Sequence, residues 1–120
     1  MLNLNSVMIG TMQPAILAAF YEKVFGKPAD MVDHENGFWG WQLGGGFLGI
    51  LTHSEMGGKT KDAGRIMLNF ETPQVKEEFE RIKAIGATVI KEPYSMGEGE
   101  GAIATLADPD GNFFQLMNPM

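Results

Sequence analysis

The chain has 120 residues, 44% of them hydrophobic and 20% charged, with a net charge of -6 and no cysteine. That length suits one domain, and the composition is that of a chain folding around its own core. The acidic balance, with no Lys/Arg cluster of the kind nucleic acid requires, argues against nucleic acid and anionic membrane surfaces; the missing cysteine excludes disulfides, thiolate nucleophiles and Cys-held metals.

No stretch reaches the apolar length of a membrane span, and the N-terminus does not read as a signal peptide, so a cytoplasmic protein is the default expectation. Residues 2–10 alternate loosely and read as a strand. Pro14 suits the first turn of a helix, and Ile16, Leu17, Phe20 and Val24 give that helix an apolar stripe. Gly26 and Pro28 end it. Residues 29–34 suit a short strand, and Phe38–Leu43 (FWGWQL) a better one. Gly44-Gly45-Gly46 signals a hairpin, with Phe47–His53 as the returning strand. Residues 54–63 are polar and glycine-bearing, and read as a linker.

The second half repeats the plan. Arg65–Glu71 reads as a strand. Thr72 suits an N-cap with Pro73 at the first helical position, and Glu77 and Glu78 sit where the helix dipole favours negative charge. Val75, Phe79, Ile82 and Ile85 form the apolar stripe and Gly86 closes it. Residues 87–91 read as a strand and Pro93–Gly101 as a glycine-bearing loop. Its MGEGEG segment (96–101) suits a lid or a plain hairpin, but not a phosphate cradle, since Glu98 and Glu100 repel an anion. Ala102–Leu106 reads as a strand, Asp108–Gly111 as a turn and Phe113–Met117 as the last strand.

Pro14 and Pro73 lie 59 positions apart, as do Ile16 and Val75, and Phe20 and Phe79. The same shift sets Ser6 on Arg65, Met8 on Met67 and Gly10 on Asn69. Each half is strand, helix, then about three strands, in modules of about 1–54 and 64–120 within a single 1–120 domain. One half cannot cover both faces of its sheet, whereas two together can wrap a shared cavity.

The segment PAILAAFYEKVFG, with Phe20-Tyr21 ahead of Phe25-Gly26, resembles the first helix of the vicinal oxygen chelate superfamily. The closing ADPDGNFFQLMNP resembles that group's end, a DPDGN turn followed by a strand. The superfamily includes glyoxalase I, methylmalonyl-CoA epimerase, extradiol dioxygenases, fosfomycin-modifying enzymes and bleomycin-binding proteins. The resemblance covers nearly the whole chain. It implies an α+β fold of two βαβββ modules forming a paired curved sheet around a concave cavity, commonly completed in a homodimer.

The resemblance also implies a divalent metal on the concave face, held by His, Gln or Glu at four strand positions. Counted from the matched motifs, these fall on Ser6, near Ile50 (a shift to His53 is open), Arg65 and Gln115. Arg is permanently cationic, Ile offers no lone pair, and Gln115 alone keeps the family's oxygen donor. No metal and no cofactor is therefore expected. His34 and His53 lie on either side of a hairpin with nothing to bring them together, and Asp108–Asn112 lacks the later Glu of a calcium loop.

Strand parity supplies a candidate ligand-binding set. If Val7, Ile9, Ile66, Leu68 and Phe70 face the helices, then Ser6, Met8, Gly10, Arg65, Met67 and Asn69 face the cavity, joined by Gln115 and Met117. A two-residue turn at Gly44-Gly45 pairs Trp41 with Leu48 and Trp39 with Ile50, which is expected to put both indoles on the cavity face. The indoles suit flat aromatic ligands, the methionines adapt to varied shapes, and Arg65 suits a carboxylate or phosphate. Ordinary core is the competing reading of the tryptophans and methionines, and a structural ion pair, with Glu71 or a partner chain's acid, that of Arg65. The expected function is metal-free binding, including sequestration, of an aromatic or acidic small molecule. The alternative is a metal-dependent lyase, isomerase or dioxygenase of the same superfamily. No catalytic residue is assigned, because no paired carboxylates or nucleophile–base pair stand out; Glu71 and His53 are the acid–base candidates.

Overall fold

The computed structural model describes residues 2–95 and 101–119; residues 96–100, most of the segment read as a lid or hairpin, lie outside the described residues. The chain divides into two compact units, Met1–Gly58 and Lys59–Met120. Each contains one helix and one four-stranded sheet, giving the expected α+β class.

The first unit runs β1 (Ser6–Thr11), α1 (Pro14–Phe25), β2 (Met31–Asp33), β3 (Phe38–Leu43) and β4 (Gly46–Thr52). Its sheet order is β1-β4-β3-β2, with β1 parallel to β4 and the other pairs antiparallel. A parallel neighbour needs a crossover, and α1 is that crossover. Pro14 stands in the first turn of α1, where its missing N–H costs no intrahelical bond. Gly26 ends the helix at φ 72°, in the left-handed region, and its N–H donates to Glu22 O at 2.9 Å. Leu43 opposes Gly46, so Gly44 and Gly45 form the two-residue hairpin turn, with φ 59° at Gly44. Leu17, Ala18, Phe20, Tyr21 and Val24 are buried on α1. Ile16, expected on that stripe, is 56% exposed, because Leu17 and Tyr21 define the centre of the packed face instead.

The second unit runs β5 (Leu68–Glu71), α2 (Val75–Ile85), β6 (Thr88–Ser95), β7 (Ala102–Ala107) and β8 (Phe113–Met117), with sheet order β5-β8-β7-β6. Three boundaries differ from those expected. The first strand starts at Leu68, since Arg65 lies in a turn whose N–H donates to Asp62 O at 3.0 Å. The helix is capped by Gln74, so Pro73 precedes it. Strand β6 continues past Pro93, which an edge strand tolerates because it has a side that needs no donor; its pairing shifts register between Lys91 and Tyr94.

The two strand–helix junctions are built alike. Thr11 Oγ1 accepts from Gln13 N at 3.0 Å, and Thr72 Oγ1 accepts from Gln74 N at 3.1 Å. The two N-cap residues have nearly the same backbone angles, φ -128° and ψ 60° at Gln13, φ -122° and ψ 59° at Gln74. Thr11 and Thr72 are 61 positions apart, so the structural repeat at this junction is two residues longer than the proline spacing indicates. The counterpart of Ser6 is therefore Met67, not Arg65, and that of Met8 is Asn69.

Candidate functional site

In a sheet with one helix, the face without the helix is the face that can receive a ligand, and register decides which side chains stand there. In the first unit, Trp41, Leu48 and Ile50 are buried, and the Trp41 ring meets Phe25 of α1 edge-on at 5.5 Å between centroids. Trp41 Nε1 donates to Lys27 O at 3.1 Å, just beyond the helix. Trp41 pairs with Leu48 and Trp39 with Ile50, as expected, but this face packs against α1. The parallel register agrees, since Val7 pairs with Leu48 and Ile9 with Ile50. Trp39, Trp41 and Ile50 are thus removed from the cavity set and belong to the helix-facing side, with Trp41 as its largest fully buried side chain.

The helix-free face of this sheet carries Ser6, Met8, Gly10, Phe38, Gly40, Gln42, Phe47, Gly49 and Leu51. Its centre is apolar. Phe38 and Phe47 are stacked, with centroids 6.5 Å apart and planes 14° from parallel. They spread over glycine backbone: a Cβ on Gly40 would strike the Phe47 ring, and one on Gly49 would stand 2.5 Å from Met8 Sδ and 3.1 Å from Phe38. Two facing glycines on adjacent strands make a trough in the sheet surface, and Met8, Phe38 and Phe47 lie in it. The parity rule places Phe38, Phe47 and Leu51 on this face, once the parallel register of β1 on β4 is known. His53 stands at the end of this face against Gly10, 3.4 Å from the position of a Cβ there, and its Nδ1 accepts from Glu55 N at 3.2 Å.

On the second sheet, Phe114, Leu116, Leu106 and Ala104 are buried on the helix side. The opposite side carries a polar row across all four strands. Asn69 pairs with Gln115, Gln115 with Thr105, and Thr105 with Lys91. Gln115 Nε2 donates to Thr105 Oγ1 at 3.0 Å. Met117 lies on the same side between Glu71 and Ile103. Asn69, Gln115 and Met117 therefore stand where parity puts them. Arg65 does not share that row. It is exposed, ahead of β5, and lines a separate open hollow with Thr60, Lys61, Asp62, Ala63, Ile66 and Asn112. Met67 also precedes the strand, 39% exposed.

Register also revises the metal positions. Gln115 pairs with Asn69 as Gly49 pairs with Met8, so Gly49, not Ile50, is the first-unit counterpart of Gln115. The positions become Ser6, Gly49, Met67 and Gln115, with no imidazole and no carboxylate among them. A divalent ion of the hard or borderline kind needs such donors, so these residues do not fit one. Among the described residues no group of three or more His, Asp or Glu side chains converges.

Three surface carboxyls have clear electrostatic settings. The Gln42 N–H at 2.7 Å, then the Lys27 ammonium at 3.0 Å, hold Asp30 below its usual value. Asn36 does the same for Asp33 through its side-chain amide at 2.7 Å and its N–H at 3.2 Å. Arg81 lowers Glu78 from 2.7 Å.

Two βαβββ units, each closing one helix onto a four-stranded sheet, define the vicinal oxygen chelate class. A glyoxalase-like domain model matches residues 6–117, and the chain belongs to that family. A glyoxalase/bleomycin resistance protein/dioxygenase family enzyme from Burkholderia phytofirmans PsJN is similar at 27% identity and a TM-score of 0.75, covering 99% of this chain and 100% of that one. A glyoxalase-related enzyme from Fulvimarina pelagi shares the fold at 19% identity and a TM-score of 0.79, with coverages of 99% and 89%. So does a fosfomycin resistance protein, FosX, from Listeria monocytogenes, solved as a mutant with Mn(II) and 1S,2S-dihydroxypropylphosphonic acid, at 20% identity and a TM-score of 0.74, with coverages of 100% and 92%. No curated protein sequence matches the chain. No helix among the described residues is long and apolar enough to cross a membrane.

Proposed function

We propose that this protein is a metal-free small-molecule binding member of the glyoxalase-like family, and that its ligand is a flat, largely apolar compound. The observation that carries this reading is the stacked Phe38–Phe47 pair lying with Met8 over the bare backbone of Gly40 and Gly49. Aromatic faces and a thioether on a glycine floor take up planar rings by stacking and dispersion, and the flexible methionine adjusts to their outline. Within the second unit, the polar row Asn69–Gln115–Thr105 presents hydrogen-bonding groups on that sheet's own helix-free face. A preference for acids has less support there, because Arg65 stands apart from the row.

The donor chemistry at Ser6, Gly49, Met67 and Gln115 weighs against a metal-dependent lyase, isomerase or dioxygenase. The test is elemental analysis of the purified protein alongside a titration with planar aromatic compounds after dialysis against chelator. Saturable binding without metal supports the reading. Near-stoichiometric Ni, Zn, Mn or Fe, with binding lost on its removal, overturns it and restores the enzyme alternative.

A homodimer and a cytoplasmic location complete the proposal. Supporting a dimer are exposed apolar side chains on both units, among them Ile16 at 56% and Ile66 at 77%. Sedimentation as a monomer at micromolar concentration would remove that part.

A further inference from the structure

The hollow that takes Arg65 away from the sheet has its own chemistry. Its volume is about 450 Å³, and Lys61, Arg65, Thr60, Asn112 and Asp62 are its polar lining. Residues 59–65 hold three of the chain's nine cations and one carboxylate, on a chain of net charge -6. Among the described residues, neither Lys61 nor Arg65 forms an ion pair.

The walls are fixed. Asp108, buried at 2% exposure, accepts from Asp110 N and Asn112 N, both at 2.9 Å, and from Asn112 Nδ2 at 3.0 Å. The loop opposite is stitched to that turn by Thr60 N donating to Asp110 O at 2.9 Å, Phe113 N to Ala63 O at 3.3 Å, and Lys59 Nζ to Pro109 O at 2.8 Å. The hollow is thus held by the DPDGN turn and does not depend on a ligand to form. Asn112 lines the hollow while its backbone N–H and its side-chain amide Nδ2 donate to Asp108.

We propose that this hollow is a second binding site, distinct from the sheet face, for a phosphate or phosphomonoester. The Arg65 fork and the Lys61 ammonium neutralise two charges in a charge-assisted geometry. The Thr60 hydroxyl, also in the lining, can donate to a phosphate oxygen. Two cations outnumber the single Asp62 carboxylate in the lining.

The test is a titration of the intact chain with inorganic phosphate at low ionic strength, near neutral pH, read by backbone amide NMR. Saturable shifts confined to residues 59–66 and 108–113 are expected. Lys61→Ala and Arg65→Ala should each weaken the site about tenfold, with Arg65→Lys between, and Lys76→Ala should change nothing. Glycerol phosphate should match or exceed free phosphate if a monoester is the resident ligand; its exclusion would assign the site to free phosphate. Shifts spread over all surface lysines, or equal loss in the Lys76→Ala control, would overturn the proposal. None of these readings depends on an aromatic ligand, so this proposal and the proposed function fail separately.

Discussion

The ring of Phe47 occupies the space that a Cβ on Gly40 would need. Gly40 and Phe47 are on adjacent antiparallel strands and on the same face, Gly40 opposite Gly49 and Phe47 opposite Gln42. The aromatic trough therefore exists because a residue in the middle of a good strand has no side chain. Gly40→Ala should force the Phe47 ring away from the sheet. We expect a stability loss of about 1–3 kcal/mol, typical of overpacking, and weakened binding of planar ligands. Urea denaturation and ligand titration of the same variant check both parts. Unchanged stability and binding in the Gly40→Ala variant would show that the ring has room to spare.

Trp41 should behave as core. Trp41→Phe removes the bond from Nε1 to Lys27 O and opens space against Phe25, at a cost of about 2 kcal/mol. Its emission should be blue-shifted and should stay nearly constant as a planar ligand is added. Strong quenching by ligand in a Trp39→Phe background would place the Trp41 indole in the binding face after all.

Asp108 ties the last turn together, and a neutral apolar residue there leaves the buried Asp110 N–H and the half-buried Asn112 N–H without their acceptor. Asp108→Ala should cost about 2–3 kcal/mol. Hydrogen exchange should speed up first in residues 108–113, and a uniform change across the chain would contradict this local effect.

The acid limb of stability should report on Asp30. Its carboxyl is held below its ordinary value by the Gln42 N–H and by Lys27, so the folded protein binds that proton less readily than the unfolded chain. The stabilisation is fully present above the unfolded carboxylate range and is lost as pH falls through the folded value. Asp30→Asn should lower the urea midpoint at pH 7 and converge with the parent once pH has fallen through the folded value of Asp30. A difference that stays the same as the medium is acidified would show that the bond to Gln42, not ionisation, carries the effect.

Much of the architecture is legible from periodicity and punctuation. Gly26 and Gly86 end the helices where expected, and the Gly44-Gly45 turn sets the β3–β4 register because a two-residue loop leaves no slack. The face of that hairpin is not legible. No turn fixes the parallel pairing of β1 with β4; the two strands are joined through the α1 crossover, and Trp41 is turned inward against Phe25 of that helix, with its Nε1 bonded to Lys27 O. The misplacement of Arg65 has a comparable cause. Proline is tolerated both within the first helical turn, as Pro14, and before the cap, as Pro73, so matching the two prolines shifts the second module by two residues. An even shift preserves parity, which is why Asn69 falls on the correct face although its first-unit counterpart is Met8 and not Gly10.

The central claim is that the helix-free face around Phe38, Phe47 and Met8 takes a planar apolar ligand without a metal. The most direct measurement follows the Met8 methyl and the Phe38 and Phe47 ring resonances while a naphthalene-type compound is added to chelator-dialysed protein. Saturable shifts at these three residues are expected, unchanged when Mn(II) or Ni(II) is then supplied. Silence at all three, or shifts that arise only after the metal is added, would contradict the claim.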